Sequence, residues 1–286
     1  MAPTRRKHYV RRALLYLAVL AIVIWTVAPY LWLIISSVSY RIDLLQVPLR
    51  WIPSRITLDN YRELFVSDGG ANQNAGLFLL ALRNSAIIAF SVTSLALLLG
   101  VFSAYALSRL RFPGSGAAVG LMMTVQMLPP IAIIIPMYVL LRRFHLLDTH
   151  PGLIIVYLSF ILPLVVWLMR SYFASIPGEL EDAARIDGCT HLGALMRVIL
   201  PLAGPGLVSV AVFAFIAAWN EYLYAFILTS VEAKTLPVLI GEFSTKLGLQ
   251  YLRIAAAGVL ASLPPVILAL VFQRFIMQGL TAGAVK

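Results

Sequence analysis

Six stretches of this chain are apolar for a whole membrane thickness and almost free of charge. They run over Leu14–Ile35, Ser85–Leu107, Ala117–Leu141, Gly152–Met169, Leu207–Leu228 and Ala255–Phe275, and hold only two charged residues, Glu221 and Arg274. A helix needs about 20 such residues to cross a hydrocarbon core about 30 Å thick. The runs are continuous and do not alternate with period two, so helices are expected rather than barrel strands. Pro129, Pro130 and Pro136 interrupt the third run. Composition agrees with a lipid solvent. The chain is 61% hydrophobic and 12% charged, whereas a soluble domain is about 45–50% apolar and about 25% charged. A soluble enzyme, a disordered chain and a coiled coil are excluded on that ground. A single cysteine, Cys189, excludes a disulfide scaffold.

The formal charge is +10, from 22 Lys+Arg against 12 Asp+Glu. The tightest basic cluster, Arg5, Arg6, Lys7, Arg11 and Arg12, immediately precedes the first apolar run. With no nucleic-acid-binding module in the chain, the fitting partner is anionic lipid. The run from Ala13 to Ile35 is too long for a signal-peptide core of about 7–15 residues. It reads as a retained helix. The basic flank places the N-terminus in the cytoplasm, and Arg109 and Arg111 after the second run agree.

The expected fold is an all-α integral membrane protein with six transmembrane helices and both termini cytoplasmic. The chain reads as one transmembrane domain over residues 1–286. It has an N-terminal helix at 14–35, a periplasmic segment at 36–84, core helices over 85–275, a cytoplasmic loop at 170–206 and a tail at 276–286. Within 36–84, Thr57-Leu58-Asp59-Asn60-Tyr61 reads as a capped short helix.

The cytoplasmic loop concentrates the charge that the rest of the chain lacks. Four of the twelve acids, Glu179, Glu181, Asp182 and Asp187, fall within nine residues of it. Pro177 suits a helix start, and the acids that follow suit the positive end of the helix dipole. Leu180, Ala183, Ala184 and Asp187 share a face by helical spacing. Gly188 suits a helix stop, and Thr190 can cap a second short helix with an apolar stripe of Leu192, Leu195, Met196 and Ile199. Two short helices at an angle would then face the cytoplasm. By this reading they are either a docking surface, with acids for a basic partner, or a plain solvated loop.

The same residues carry a resemblance. Asp182-Ala183-Ala184, three residues, Gly188, nine residues, Val198, one residue and Leu200-Pro201 resemble the signature loop of ATP-binding-cassette (ABC) importer permeases. That signature usually has Glu where Asp182 stands and Ile where Val198 stands. Thr57-Leu58-Asp59-Asn60-Tyr61, Trp219-Asn220-Glu221-Tyr222 and the tail from Gly279 to Lys286 resemble the smaller, maltose-permease G-like permease of carbohydrate importers. The resemblance implies a bacterial or archaeal inner-membrane subunit that carries a sugar, with a glycerol phosphate ester as an alternative cargo. It implies a second homologous permease, two ATPase subunits and an extracytoplasmic solute-binding protein as partners. ATP and Mg would be bound by the ATPase and no cofactor by this chain, which has no Gly-rich phosphate loop of its own. The coupling element to the ATPase would comprise Glu181, Asp182, Ala183, Ala184, Arg185, Asp187, Gly188, Val198, Leu200 and Pro201. Either Glu181 or Asp182 could be the acid that meets the ATPase.

Glu221 lies deep in the fifth run, where an ionisable group is costly and marks either a pathway or a structural polar contact. Trp219 and Asn220 beside it would suit a sugar, by stacking and by hydrogen bonding. Gln126 next to Pro129 and Pro130 either lines a cavity or accompanies a packing kink. Met122, Met123, Met127 and Met137 read as packing. Lys246, Leu247, Gly248, Leu249, Gln250 and Tyr251 correspond by position to a loop that probes the binding protein in related permeases; an ordinary surface loop is the other reading. Thr281–Lys286 could reach the ATPases in the same way. His8, His145, His150 and His191 lack metal-ligand spacing, and no serine sits in a nucleophile elbow. An ion-coupled transporter would need charges spread over several spans, and an intramembrane protease would need paired catalytic groups at depth.

Overall fold

The computed structural model describes residues 3–46, 51–66, 74–110, 112–243 and 250–282, among which all regular structure is helical. The elements are α1 (Pro3–Ser37), α2 (Arg41–Leu45), α3 (Asp59–Phe65), α4 (Asn74–Arg109), α5 (Ser115–Gln126), α6 (Pro130–Arg143) and α7 (His150–Ser175). They continue with α8 (Gly178–Ile186), α9 (His191–Ala194), a π-helical turn (Leu195–Ile199), α10 (Leu200–Leu202), α11 (Gly204–Trp219), α12 (Leu223–Leu228), α13 (Leu236–Glu242) and α14 (Tyr251–Ala282). Among the described residues four helices are long and apolar enough to cross a membrane, and up to six spans result if each bent pair counts as one.

Two of the expected spans are not straight helices. The third, expected over Ala117–Leu141, divides into α5 and α6, bent by 97°. Proline explains the break. Pro129 is extended, at φ −64° and ψ 131°, and Pro130 removes an N–H while forcing its predecessor out of helix. Pro136, Pro163, Pro264 and Pro265 remain inside helices. The fifth, expected over Leu207–Leu228, stops at Trp219 and restarts as α12 at Leu223. The expected short helix at Thr57 begins at Asp59 instead, and the Thr57 hydroxyl accepts the Asp59 N–H at 3.1 Å from one residue outside the usual cap.

The described chain divides into two compact units, residues 1–76 with 240–261 and residues 77–239 with 262–286. In the first, Asn60 donates to the carbonyls of Ser37 and Ser39 at 2.9 and 3.1 Å, tying α3 to the end of α1. Arg253 of α14 pairs with Glu63 of α3, its Nε and Nη2 both 2.7 Å from Oε2. Residues 9–29 of α1 are all exposed, Trp25 by 85%. A helix that is apolar all round and exposed needs lipid or another protein against it.

In the second unit α4 and α7 run parallel. Near the N-terminal end of α4, Asn84 meets His150, the first residue of α7, at 2.8 Å. At its C-terminal end Arg109 donates to the carbonyls of Phe173 and Ile176. Parallel neighbours require a return between them, and α5 with α6 supplies it. α11 runs back along α7: Gly206 abuts Tyr172, and beyond α11 the Tyr224 ring stacks on Phe160 at 5.4 Å. The Ser209 hydroxyl donates to the Phe275 carbonyl at 2.6 Å, joining α14 to the start of α11. The buried residues of α4 include the small Ala89, Ala96 and Ala104, and Gly100 on the same helix abuts Val165 of α7. In lipid, apolar burial gains little, so close packing over small residues supplies the cohesion.

Candidate functional site

At one end of the second unit the loop of interest has the expected turn and cap, but of the expected apolar stripe only Leu195 and Ile199 are buried, while Leu192 and Met196 are exposed. α8 ends at Ile186 with Asp187 as its C-cap, and Gly188 turns the chain at φ 92°, a conformation that a Cβ penalises. The Thr190 hydroxyl accepts the Gly193 N–H at 3.1 Å and caps α9. The π-helical turn Leu195–Ile199 then carries Val198 towards Leu200 and Pro201.

Only Glu181 and Ala184 of α8 are buried. Leu180, Asp182, Ala183, Arg185, Asp187 and Gly188 are exposed, and Ile186 is 86% exposed. This corrects the expected shared face: Ala184 turns inward while Leu180, Ala183 and Asp187 face out. It also separates the two rival acids. Glu181 is 7% exposed and takes the Tyr105 hydroxyl at 2.5 Å. Arg109 Nε lies 3.6 Å from its Oε2 and His191 Nδ1 3.6 Å from its Oε1. A buried carboxylate without such partners would cost several kcal/mol. Asp182 is exposed on the surface, at the rim of a cavity of about 750 Å³ that Arg109, Arg185, His191 and the α4–α5 connection also line.

At the other end a second polar cluster holds the α6–α7 turn. Asp148 adopts φ 55°, which Asp tolerates better than most residues. Its carboxylate accepts from the N–H groups of Ser230, Val231, Glu232 and Ala233 at 3.0–3.1 Å and from the Ser230 hydroxyl at 2.7 Å. Burial pushes this carboxyl up. The N–H groups of Ala233, Val231 and Ser230 outweigh that and hold it well below the usual carboxylate range. The Asn84 amide donates to the carbonyls of Glu232 and Lys234. Its oxygen therefore accepts, and His150 Nε2 is the donor in that pair.

Of the residues expected along a pathway, Trp219 and Glu221 are built into the bundle, whereas Asn220 and Gln126 are exposed. Glu221 accepts the N–H groups of Tyr224 and Ala225 at 2.8 and 3.1 Å, capping α12 after the break. The Tyr157 ring is fully buried, with Glu221 close to its hydroxyl. Trp219 is buried and stacks on Phe215 at 5.5 Å, whereas Asn220 is exposed. Gln126 is exposed and donates to the Phe160 carbonyl at 2.8 Å. Met127, read as packing, is 83% exposed. Gln250 donates its N–H to the Phe243 carbonyl at 3.4 Å and Tyr251 is exposed. Lys246, Leu247, Gly248 and Leu249 lie outside the described residues, as do residues 283–286 of the tail. Sequence reasoning missed Asp148, Asn84 and Tyr105, whose partners lie 66 to 150 residues away.

Residues 96–282 match the family described as the inner membrane component of binding-protein-dependent transport systems. The chain belongs to that family. As a permease of this kind it is a membrane-embedded transporter component rather than a catalytic enzyme. It is 40% identical over 265 residues to the trehalose transport system permease protein SugB of Mycobacterium tuberculosis, covering 92% of this permease and 93% of that one. It is 34% identical over 283 residues to the trehalose/maltose transport system permease protein MalG of Thermococcus litoralis, covering 98% and 99%. Among solved structures, a chain of a bacterial ABC transporter that imports the acidic polysaccharide alginate superimposes with a TM-score of 0.75 at 24% identity. The match covers 96% of this permease and 98% of that chain, and it shows the shared fold.

Proposed function

We propose that this permease is one membrane subunit of an ATP-driven importer of a di- or oligosaccharide delivered by an extracytoplasmic binding protein. The relatives named for trehalose and for trehalose and maltose support the sugar class. A second homologous permease completes the pore, two ATPase subunits bind ATP and Mg, and both termini lie with them in the cytoplasm. The observation that carries the coupling role is the division of labour on α8. Glu181 is tied inward, which leaves Asp182, Ala183, Arg185, Asp187 and Gly188 presented outward. These residues, with Val198, Leu200 and Pro201 framing the return, form the face that seats in the ATPase, and Asp182 is the acid that contacts it. Ala184 supports that face from behind. Closure of the ATPase dimer then moves the loops as rigid bodies and turns the pore outward.

At the pore, the exposed amides of Asn220 and Gln126 meet the sugar hydroxyls. Glu221 and Trp219 shape the wall beside them. Gln250 and Tyr251, with residues 246–249, contact the binding protein. The test is reconstitution of the two permeases, the ATPase and the binding protein in liposomes with a panel of trehalose, maltose and maltotriose. Uptake of one of these sugars that requires ATP inside the assembly is expected. Uptake by the permeases without any ATPase overturns the reading.

A further inference from the structure

We infer that Tyr105, Arg109 and Glu181 form the joint through which movement of the coupling helices reaches the membrane helices. The inference rests on the docking reading of α8. The three side chains are positioning residues, since none of them belongs to the exposed face that meets the ATPase.

Four elements meet in these three side chains. Tyr105, in the last turns of α4, donates to Glu181 of α8 at 2.5 Å and stands 3.2 Å from the carbonyl of His191, the first residue of α9. Arg109, the last residue of α4, lies 3.6 Å from Glu181 and donates its Nη2 to the carbonyls of Phe173 at 2.6 Å and Ile176 at 2.5 Å. Those are carbonyls at the end of α7, where a guanidinium satisfies acceptors that the helix leaves open. One cation therefore holds the end of α7 and the acid of α8 together.

The rest of α8 is loosely held. Of its residues only Glu181 and Ala184 are buried, and the side towards the α4–α5 connection opens on the cavity of about 750 Å³. A push on α8 has little apolar packing to travel through. It passes through the polar cluster, whose hydrogen bonds have directions and either hold or break. Tyr105 also packs edge-on to Phe173 at 6.4 Å, so the joint presses on α7 as well as pulling on it. Glu181 is thus buried at a cost because it transmits displacement to two spanning helices.

The reconstituted importer tests this, with the sugar that the panel above selects and with sugar imported per ATP hydrolysed as the readout. Tyr105→Phe removes one hydroxyl and keeps the ring, so the chain should assemble normally with its ATPase. It is expected to lower the transport ratio about fivefold, as is Glu181→Gln, while the double variant does no worse than Glu181→Gln alone, because contacting residues couple. Where Glu181→Gln fails to assemble, Arg109→Lys takes its place in the cycle. Lysine keeps the charge but not the planar group that offers Nη2 to the carbonyls and Nε to Glu181 at once, and the same non-additivity is expected. An unchanged ratio in Tyr105→Phe with the ATPase still bound overturns the joint and leaves the docking reading standing. Losses that multiply in the double variant overturn it too. Failure of the unmutated chain to bind any ATPase removes both readings together.

Discussion

The Tyr172 ring of α7 lies flat against the backbone of Gly206 at the start of α11. A Cβ on Gly206 would sit 2.5 Å from Cδ1 and 2.6 Å from Cγ of that ring. This approach sets how closely α7, which leads into the loop at 170–206, packs against α11, which leads out of it. The clash falls on the root of the ring, Cγ and Cδ1, so Tyr172 yields only by moving its whole side chain. Gly206→Ala should therefore lower stability by about 1–3 kcal/mol, the usual cost of overpacking. The thermal unfolding midpoint of the detergent-solubilised assembly is the measurement. A midpoint equal to wild type would mean that the ring yields.

Asp182 and Glu181 are adjacent acids with opposite surroundings, so their variants should fail differently. Asp182→Lys leaves the permease folded and weakens co-purification with the ATPase, because only the exposed face changes. Asp182→Glu restores binding. Glu181→Ala strands Arg109 and Tyr105 and should destabilise the permease itself by about 3 kcal/mol, the lower end for breaking a buried pair. Equal melting behaviour of the Asp182→Lys and Glu181→Ala proteins would contradict this assignment.

Gly188 turns at φ 92°, where any residue with a Cβ is strained. Gly188→Ala should cost about 1 kcal/mol, and Gly188→Pro should also misdirect α9, since proline is confined to negative φ. Uptake should fall more than membrane insertion does. Normal uptake by Gly188→Pro, read in the liposome assay, would remove the need for this turn.

Asp148 gives a pH dependence with a definite sign. Its folded carboxyl is held below the unfolded value of about 4, so the stability it contributes is fully present above that value. It is lost as pH falls below about 4 towards the folded value. Asp148→Asn should lower stability at neutral pH and flatten the acid limb. Unfolding midpoints from pH 7 down to 3 check it, and parallel curves for the two proteins would rule out the cluster as the source.

Glu221 caps α12 through two N–H groups. Glu221→Ala should cost about 1 kcal/mol, as cap removals do, and Glu221→Gln, which keeps one acceptor, should cost less. Thermal midpoints distinguish the two. A variant order in which Gln is as damaging as Ala would show that the charge matters beyond the cap.

The polar map of the bundle was only partly legible along the chain. Local rules sufficed where the signal was local: Gly188 as the turn, Thr190 as the cap, Pro129 and Pro130 as the interruption. They failed where one residue answers to another far away. Glu181 and Asp182 look alike in sequence, yet α8 packs through one side, and that side carries Glu181. Asp148 carries no signal along the chain because its five donors lie 82 to 85 residues downstream. The fifth apolar run looks continuous because hydropathy does not register a carboxylate that caps a new helix.

By itself the sequence determined the solvent, the helical class and the turn and cap of the loop at 170–206. Apolar length, scarcity of charge and helix-end chemistry are properties of neighbouring residues, and lipid leaves the backbone little alternative to the helix. Only the tertiary structure decided that the third run bends by 97°, that α4 and α7 run parallel, and which acid faces inward. Those outcomes depend on which distant groups meet. A buried charge or an unpaired N–H is satisfied by whatever the packed helices bring within about 3 Å of it.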